Sequence, residues 1–353
     1  MTAPTVGYVG LDHHHTRPYL ESLEQLPASV TSVCEPDESY DPTALEGHVG
    51  DVPTYRDPIE LLDADAPDVV WITLPSRDTP AVIDAALDRG IDVYTEKPAA
   101  RTAADLQALA RRDTDSTVCV SYPWRAHPAA RELRNRAAED FFGRIRTFET
   151  RYAASDLKHR DTDHYLFDRA ASRGGIVQWL GVHWIDLLSW AFDDSIVAVD
   201  ATMTGGPDDE SVEDGAIVQF ELASGAIGVL TCGYYLREGR YDTYVSVTGT
   251  HGRVAWDPVG DYFGFEDENT IEFESMADGR PAAPREYLTY DYDPTPGYGG
   301  GFGLEFMRQF LEARQSADVD VPASLDDAVT VLRILDAVYE SARADEWISV
   351  GQS

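Results

Sequence analysis

One lysine is the clearest candidate for catalytic chemistry in this sequence. The chain has two lysines, Lys97 and Lys158, among 28 basic residues, so arginine supplies nearly all of the positive charge. Lys97 lies in the run Thr95-Glu96-Lys97-Pro98, at the end of a predicted strand, and ligands bind at that edge of a parallel sheet. A compact ammonium there can polarise a substrate hydroxyl, which a bulky guanidinium does poorly. We therefore interpret Lys97 as catalytic rather than as a surface partner of Glu96.

A histidine on a predicted apolar helix is the second candidate. His183 lies four residues after Trp179 and three before Asp186, so the three side chains share one face of an α-helix. An imidazole titrates near neutral pH, so His183 can exchange a proton with a substrate hydroxyl, and Asp186 can orient its ring. A hydrogen-bonded core histidine would give the same pattern, so both interpretations stay open.

The first predicted strand leads into a turn that partly matches a dinucleotide-binding motif. In the pattern G-x-G-x-x-G, the glycines let the backbone approach a pyrophosphate and let the helix pack against the sheet. Gly10 occupies the first position, but Asp12 and His15 occupy the second and third. The match is weak, and an ordinary strand–helix connection is equally compatible.

The acidic residue after the second predicted strand bears on the choice of cofactor. Glu35 lies 25 residues after Gly10. A carboxylate there can accept hydrogen bonds from the adenosine ribose hydroxyls and disfavours a 2′-phosphate. It favours NAD over NADP.

Metal-ligating residue types are present, but their spacing does not favour a metal site. The run from Asp12 to His15 contains three histidines, and consecutive positions converge poorly on one ion. Cys34, Cys119 and Cys232 lie far apart without a C-x-x-C pair, which argues against a zinc site and a disulfide framework. We expect free thiols and no metal.

The elements that would position these residues alternate regularly in the first third of the chain. Predicted strands cover residues 5–10, 29–34, 68–74, 91–95 and 117–122, and predicted helices cover residues 17–25, 57–63, 79–89 and 103–112. This alternation is typical of an α/β fold with a doubly wound parallel sheet. We predict a dinucleotide-binding domain over residues 1–122.

The pattern changes after residue 122. Predicted helices cover residues 128–138, 175–192, 304–315 and 325–344, and predicted strands cover residues 144–152, 216–222, 226–232, 243–249 and 253–257. These elements indicate an α+β domain over residues 123–353 with an open, mostly antiparallel sheet, and its closing helices could pack back on the first domain. Ser324 and Asp327 approximate a capping box at the start of the last helix.

Composition excludes several classes of partner. The chain has 63 acidic residues, a formal net charge of -35 and 43% hydrophobic residues. Such a surface repels phosphate backbones and anionic lipids, so we expect neither nucleic acid nor membrane as a partner. No apolar run reaches about 18 residues, and the N-terminus lacks signal-peptide features, which favours a soluble cytoplasmic protein. Many carboxylates with almost no lysine suggest a halophile.

Taken together, these motifs resemble the Gfo/Idh/MocA oxidoreductases over nearly the whole chain. The matching segments are Val33-Cys34-Glu35-Pro36-Asp37, residues 68–75, Glu96-Lys97-Pro98, the run Trp124-Arg125-Ala126-His127-Pro128, and residues 174–186 and 249–252. The resemblance implies an N-terminal Rossmann domain and a C-terminal domain that forms homo-oligomers through its open sheet. It also implies oxidation of a hydroxyl on a sugar, polyol or related small molecule with NAD or NADP, and Glu35 makes NADP the less favoured of the two.

The resemblance also implies roles for individual residues. Lys97 would bind the reacting hydroxyl, and His183 would be the general base. Cofactor contacts would come from Gly10, Asp12, His14, His15, Glu35, Thr73, Leu74, Pro75 and Glu96. Residues towards the substrate would be Tyr122, Arg125, Tyr165, Trp179 and Asp186.

Two departures from the family pattern leave three functions open. Trp179 replaces an aspartate that many active members carry four residues before the histidine, and Asp12 and His15 replace glycines. The favoured function is a nicotinamide-dependent dehydrogenase. The alternatives are an enzyme that uses NAD transiently to cleave a glycosidic bond without net redox change, and a sensor or binding protein without catalysis.

Overall fold

The chain forms two units, and the C-terminal segment contributes to both. A computed structural model describes residues 3–41, 45–192, 194–205, 212–259, 268–276, 285–291 and 293–351. One unit comprises Met1–Pro123 with Pro294–Val329, and the other comprises Trp124–Asp293 with Thr330–Ser353. The expected division at residue 122 stays a prediction, but the segment Pro294–Val329 groups with the N-terminal part.

Six parallel strands form the sheet of the first unit. They are β1 (Thr5–Val9), β2 (Ser29–Cys34), β3 (Thr54–Tyr55), β4 (Val69–Ile72), β5 (Asp92–Thr95) and β6 (Val118–Val120). Their order is β3-β2-β1-β4-β5-β6, so the direction of winding reverses between β1 and β4. Ligands bind beside such a reversal, at the carboxyl ends of the strands. The predicted doubly wound parallel sheet is confirmed.

Helices flank both sheets. They are α1 (Thr16–Leu23), α2 (Glu46–Val49), α3 (Pro58–Asp65), α4 (Thr79–Leu87), α5 (Ala103–Ala110), α6 (Pro128–Ala138), α7 (Arg169–Ser172), α8 (Val182–Ala191), α9 (Gly300–Ala313) and α10 (Leu325–Ala344). The predicted capping box is present at α10, where Ser324 and Asp327 exchange hydrogen bonds. Within the described ranges, no helix has the combined length and apolar character needed to cross a bilayer.

The second unit is built on a nine-stranded sheet. Its strands are β7 (Ile145–Ser155), β8 (Ile196–Gly205), β9 (Glu213–Leu222), β10 (Ile227–Leu236), β11 (Asp242–Gly249), β12 (Gly252–Trp256), β13 (Glu268–Ser275), β14 (Arg285–Asp291) and β15 (Ile348–Ser349). The order is β14-β13-β12-β11-β7-β10-β9-β8-β15. The pair β7–β10 is parallel, and the other described pairs are antiparallel. The predicted mostly antiparallel sheet is confirmed, although β8, β13, β14 and β15 were not predicted.

The helix predicted over residues 175–192 is wrong as a single α-helix. Val177–Gly181 forms a π-helical turn, in which the Val182 N–H donates to the Val177 carbonyl, and α8 begins only after it. Such turns insert one extra residue and change which side chains share a face. The prediction that Trp179, His183 and Asp186 share one face assumed an ideal α-helix. It therefore does not hold, because Trp179 lies in the π-helical turn.

Candidate active site

The carboxyl ends of the strands in the first unit bring several predicted residues together. The sheet hydrogen bonds continue past the strands: the Thr73 N–H donates to Val9 at 2.8 Å, and the Glu96 N–H donates to Ile72 at 2.8 Å. Glu96 and Lys97 therefore follow β5 at the same edge at which Thr73 follows β4. Leu74 and Pro75, partly buried, come directly after Thr73.

Gly10 is required where β1 passes β4. Its φ is +93°, and a Cβ there would lie 2.8 to 2.9 Å from the backbone of Thr73 and Leu74. The Thr73 hydroxyl donates to the Gly10 carbonyl. A side chain would thus be excluded by both backbone conformation and space. The first position of the predicted motif therefore requires glycine, because it lies where the winding of the sheet reverses and has no room for a side chain.

Glu35 braces the turn that follows Gly10. Its carboxylate accepts the backbone N–H groups of Leu11 and Asp12 and, at 2.8 Å, that of Asp37. Burial raises the pKa of Glu35, and these three N–H donors oppose that effect because they stabilise the ionised form. The carboxylate lies at the end of β2 as expected, but it also fixes the backbone of the turn.

Glu96 and Lys97 form a buried ion pair. The Lys97 Nζ lies 3.5 Å from Glu96 Oε1, and both side chains are less than 5% exposed. Burial lowers the pKa of Lys97, and the neighbouring Glu96 carboxylate partly offsets this. Burial alone would favour protonation of Glu96, but Lys97 and His15 outweigh it, so the pKa of Glu96 is lowered. The result is an ammonium held in a protected site by an ionised carboxylate.

The surroundings of Glu96 include His15, which was predicted, and Tyr19, Ser121 and Tyr298, which were not. The Tyr19 hydroxyl donates to Glu96 and lies 2.8 Å from the Ser121 hydroxyl. His15 Nδ1 lies 3.3 Å from Glu96, and the Tyr298 ring lies 4.4 Å from the His15 ring. Tyr19 is one helical turn after His15, a spacing that could have suggested it, whereas no sequence signal points to Tyr298.

The remaining predicted residues of the first unit differ in exposure. Tyr122 is fully buried just after β6. Asp12 is half-buried, and His14 is exposed. His14 and His15 lie side by side, with ring centroids 3.9 Å apart, and His15 replaces the third glycine of the motif.

In the second unit, Arg125 and Asp186 form a buried ion pair. Arg125 Nε lies 3.2 and 3.1 Å from the two Asp186 carboxylate oxygens, and Nη2 lies 2.5 Å from Oδ1. The side chains are 6% and 1% exposed. The predicted role of Asp186 was to orient His183, and the role of Arg125 was to face the substrate. The structure joins these two side chains to each other, a pairing that the sequence did not predict.

Replacing Asp186 with Ala should destabilise the protein strongly, because it leaves the Arg125 guanidinium buried without its carboxylate. We expect a loss of about 3–5 kcal/mol, measured by urea unfolding in molar KCl. The matched control is Asp242→Ala, which removes a partly exposed pair with Arg151 and should cost at most about 1 kcal/mol. Equal losses in the two variants would contradict a structural role for the buried pair.

Trp179 and His183 are held in the segment from the π-helical turn into α8. The Trp179 indole N–H donates to the Leu166 carbonyl at 2.9 Å, which fixes the ring beside the short turn that contains Tyr165. Tyr165 itself is half-buried. His183 is 6% exposed and lies in the first turn of α8. The residue that replaces the usual aspartate is therefore a buried, hydrogen-bonded indole.

Glu213 anchors the start of this segment and was missed from the sequence. Its carboxylate accepts the N–H groups of Gly175 (2.8 Å) and Val177 (3.1 Å) and the Tyr339 hydroxyl (2.9 Å). A Cβ at Gly175 would lie 2.1 Å from the Glu213 carbonyl oxygen, and one at Gly174 would lie 1.8 Å from the Tyr339 hydroxyl. The glycine pair thus permits the close approach that lets Glu213 cap the segment.

Comparisons with known proteins agree with this architecture. A curated D-xylose 1-dehydrogenase (NADP(+)) of Haloferax volcanii is 26% identical over 346 residues, 96% of each chain. Levoglucosan dehydrogenase of Pseudarthrobacter phenanthrenivorans is 25% identical over 329 residues, 82% of each chain. The solved complex of a levoglucosan dehydrogenase with NADH and levoglucosan shares the fold, with a TM-score of 0.83 at 20% identity over 99% of this chain and 100% of that one.

Two family models match successive parts of the sequence. The model of an oxidoreductase family with an NAD-binding Rossmann fold matches residues 5–122. The model of the Gfo/Idh/MocA C-terminal domain matches residues 130–255. Because both models describe the same family and together span most of the chain, the protein belongs to the Gfo/Idh/MocA family of oxidoreductases.

Proposed function

We propose that the protein is a nicotinamide-dependent dehydrogenase that oxidises a hydroxyl of a sugar, polyol or related small molecule. The observation that carries the proposal is the buried ammonium of Lys97, 3.5 Å from Glu96, at the carboxyl edge of a Rossmann sheet. Burying such a charge is costly, so its retention in a chain with one other lysine supports a chemical role. The curated relatives named for xylose and levoglucosan oxidation favour a carbohydrate-like substrate.

The residues at the sheet edge fit a dinucleotide, with a histidine side chain in place of the later glycines of the motif. Gly10 allows the close backbone approach at the reversal point, and Thr73, Leu74, Pro75 and Glu96 follow β4 and β5. The motif's later glycines are absent, but an imidazole N–H of the exposed His14 can donate to a phosphate oxygen in their place. Asp12 lies in the same turn, and Glu35 lies beside it. A bound nicotinamide would supply the hydride acceptor.

The proposed mechanism divides the proton chemistry between two side chains. The Lys97 ammonium donates a hydrogen bond to the reacting hydroxyl oxygen and stabilises the negative charge that develops there. His183 takes the hydroxyl proton as general base. Glu96 keeps Lys97 charged and in place. Tyr122, Arg125, Tyr165, Trp179 and Asp186 are proposed to shape the substrate side.

A coupled measurement tests the function and separates it from its alternatives. Purified protein in molar KCl is incubated with NAD⁺ or NADP⁺ and a panel of pentoses, hexoses, anhydrosugars and cyclic polyols. A dehydrogenase accumulates reduced nicotinamide in step with substrate loss. Product without accumulated NADH would indicate transient use of the cofactor, and no binding heat with either dinucleotide would indicate a non-catalytic protein.

The Glu35 carboxylate is proposed to favour NAD over NADP. Glu35→Gln should shift the ratio of kcat/KM for NAD to that for NADP by about tenfold towards NADP, equivalent to about 1.4 kcal/mol, because it removes the charge that repels a 2′-phosphate. Both cofactors should also bind more weakly, because the turn loses part of its brace. Glu38→Gln, an exposed neighbour, is the control. An unchanged ratio would remove Glu35 from cofactor selection.

We also propose a cytoplasmic homo-oligomer adapted to high salt. The net charge of -35 supports salt adaptation, and the exposed Ile217 and Ile227 on the same face of β9 and β10 support association through the sheet. Raising KCl from 0.1 to 1 M should increase Tm, since screening weakens carboxylate repulsion. A gain of about 3 kcal/mol corresponds to roughly 4 °C for a chain of 353 residues, at about 2.1 cal/mol/K of unfolding entropy per residue. A Tm that is flat or falls would contradict the adaptation.

A further inference from the structure

We propose that His13, His14 and His15 form a binding site for one divalent transition-metal ion of the Zn²⁺ or Co²⁺ type. Each side chain offers one ring nitrogen, and these three atoms all lie within 4.8 Å of one another. The ring centroids are 3.9 to 4.9 Å apart. The site lies between β1 and α1, and its existence does not depend on the proposed dehydrogenase activity.

The spacing is close to what such an ion requires. A tetrahedral zinc ion with Zn–N bonds of about 2.0–2.1 Å places neighbouring ligand atoms about 3.4 Å apart. The observed upper limit of 4.8 Å is therefore within reach of small side-chain rotations. His14 is exposed and can supply most of that movement. The consecutive positions converge more closely than the sequence suggested.

His15 has a carboxylate partner of the kind that metal-ligating histidines commonly have. Its Nδ1 lies 3.3 Å from Glu96 Oε1, and because a carboxylate only accepts, the ring must donate its Nδ1–H. That leaves the Nε2 lone pair for an ion, and carboxylates commonly hold metal-ligating histidines in this way. An imidazole binds a metal ion in its neutral form, with the lone pair of one ring nitrogen.

To bind the ion through Nδ1, His13 must give up one hydrogen bond. Its Nδ1 accepts the His15 backbone N–H at 3.0 Å, so the proton of the neutral ring is on Nε2. Ligation by His13 replaces that bond with a metal bond. Three imidazoles and no thiolate favour zinc, copper, nickel or cobalt over magnesium or calcium.

Cobalt provides a test that does not depend on turnover. Untagged, chelator-treated protein in molar KCl is titrated with Co²⁺, and the visible ligand-field absorption is followed. We expect a band that saturates at one ion per chain and that added Zn²⁺ removes. His14→Ala, at an exposed position, should abolish the saturating band, whereas the exposed His251→Ala should retain it.

Three results would overturn the proposal. They are no saturable band in the wild-type protein, an unchanged band in His14→Ala, or equal loss of the band in both variants. Circular dichroism confirms that each variant is folded. Because no dinucleotide or sugar is present, failure here would leave the dehydrogenase assignment intact, and failure of that assignment would leave this one intact.

Discussion

Replacing Lys97 with Met is expected to lower kcat by about 10²–10³-fold, the usual effect of removing one preorganised donor to a developing oxyanion. Met occupies a similar volume but carries no charge and no N–H donor. Substrate KM should change much less than kcat, because the charge on the oxygen is largest in the transition state. The measurement is steady-state turnover with the best sugar or polyol from the substrate panel.

The Lys97→Met protein should still fold. Removing the ammonium leaves the buried Glu96 carboxylate without its partner, which should cost stability, but it also removes the desolvation cost that lowers the pKa of Lys97. Glu96 keeps its contacts with His15 and Tyr19. Cooperative unfolding of Lys97→Met with a midpoint well beyond the assay conditions would separate lost chemistry from lost structure.

The only other lysine of the sequence provides the matched control. Lys158 is 68% exposed and lies 3.4 Å from Asp156, so Lys158→Met should keep wild-type kcat. The pH profile gives an independent check. The folded pKa of Lys97 is below its ordinary value of 10.5, so the ammonium loses its proton before pH 10.5 is reached. As the pH rises, wild-type activity should therefore begin to decline before pH 10.5. Equal kcat in Lys97→Met and Lys158→Met would reject the assignment.

The first unit could be predicted well because its signals are local. A parallel strand buried on both faces, such as β4, is a continuous apolar run, and the residue that follows each strand lies at the same edge of the sheet. Thr73 and Lys97 could therefore be placed at that edge from their order alone. Gly10 at the first motif position and the capping box at Ser324 were also visible as short patterns.

Contacts between distant segments could not be predicted. Tyr298, near the other end of the chain, packs against His15, and Tyr339 hydrogen-bonds Glu213. Nothing in the spacing of these residues encodes their pairing, because they meet only through tertiary packing. The same holds for Arg125 and Asp186, which had been given separate roles.

Two local departures from ideal geometry were also invisible in the sequence. The π-helical turn Val177–Gly181 inserts an extra residue that the apolar pattern of the sequence does not reveal. Glu35 was placed correctly at the end of β2, but its bonds to the backbone of Leu11 and Asp12 depend on how β1 turns. A residue type can predict a position without predicting the partner of its side chain.

The second large effect is expected at His183. If its imidazole is the general base, His183→Ala should lower kcat by about 10²–10⁴-fold, because the reaction then lacks its proposed acceptor for the hydroxyl proton. In the wild-type enzyme, protonation of a general base should lower kcat/KM at acid pH. In His183→Ala this acid-side decrease should be absent. Trp179 cannot replace the imidazole, because an indole is a donor only and its N–H is bound to Leu166.

Chemical rescue distinguishes a base from a structural histidine at this position. Imidazole added to His183→Ala should restore part of the lost rate in a pH-dependent manner, since the truncated side chain leaves room for a free base. His159→Ala, at an exposed histidine, should keep wild-type kcat and show no response to imidazole. If His183→Ala instead loses stability and gains nothing from imidazole, His183 is a core residue, and the proton acceptor must be sought elsewhere.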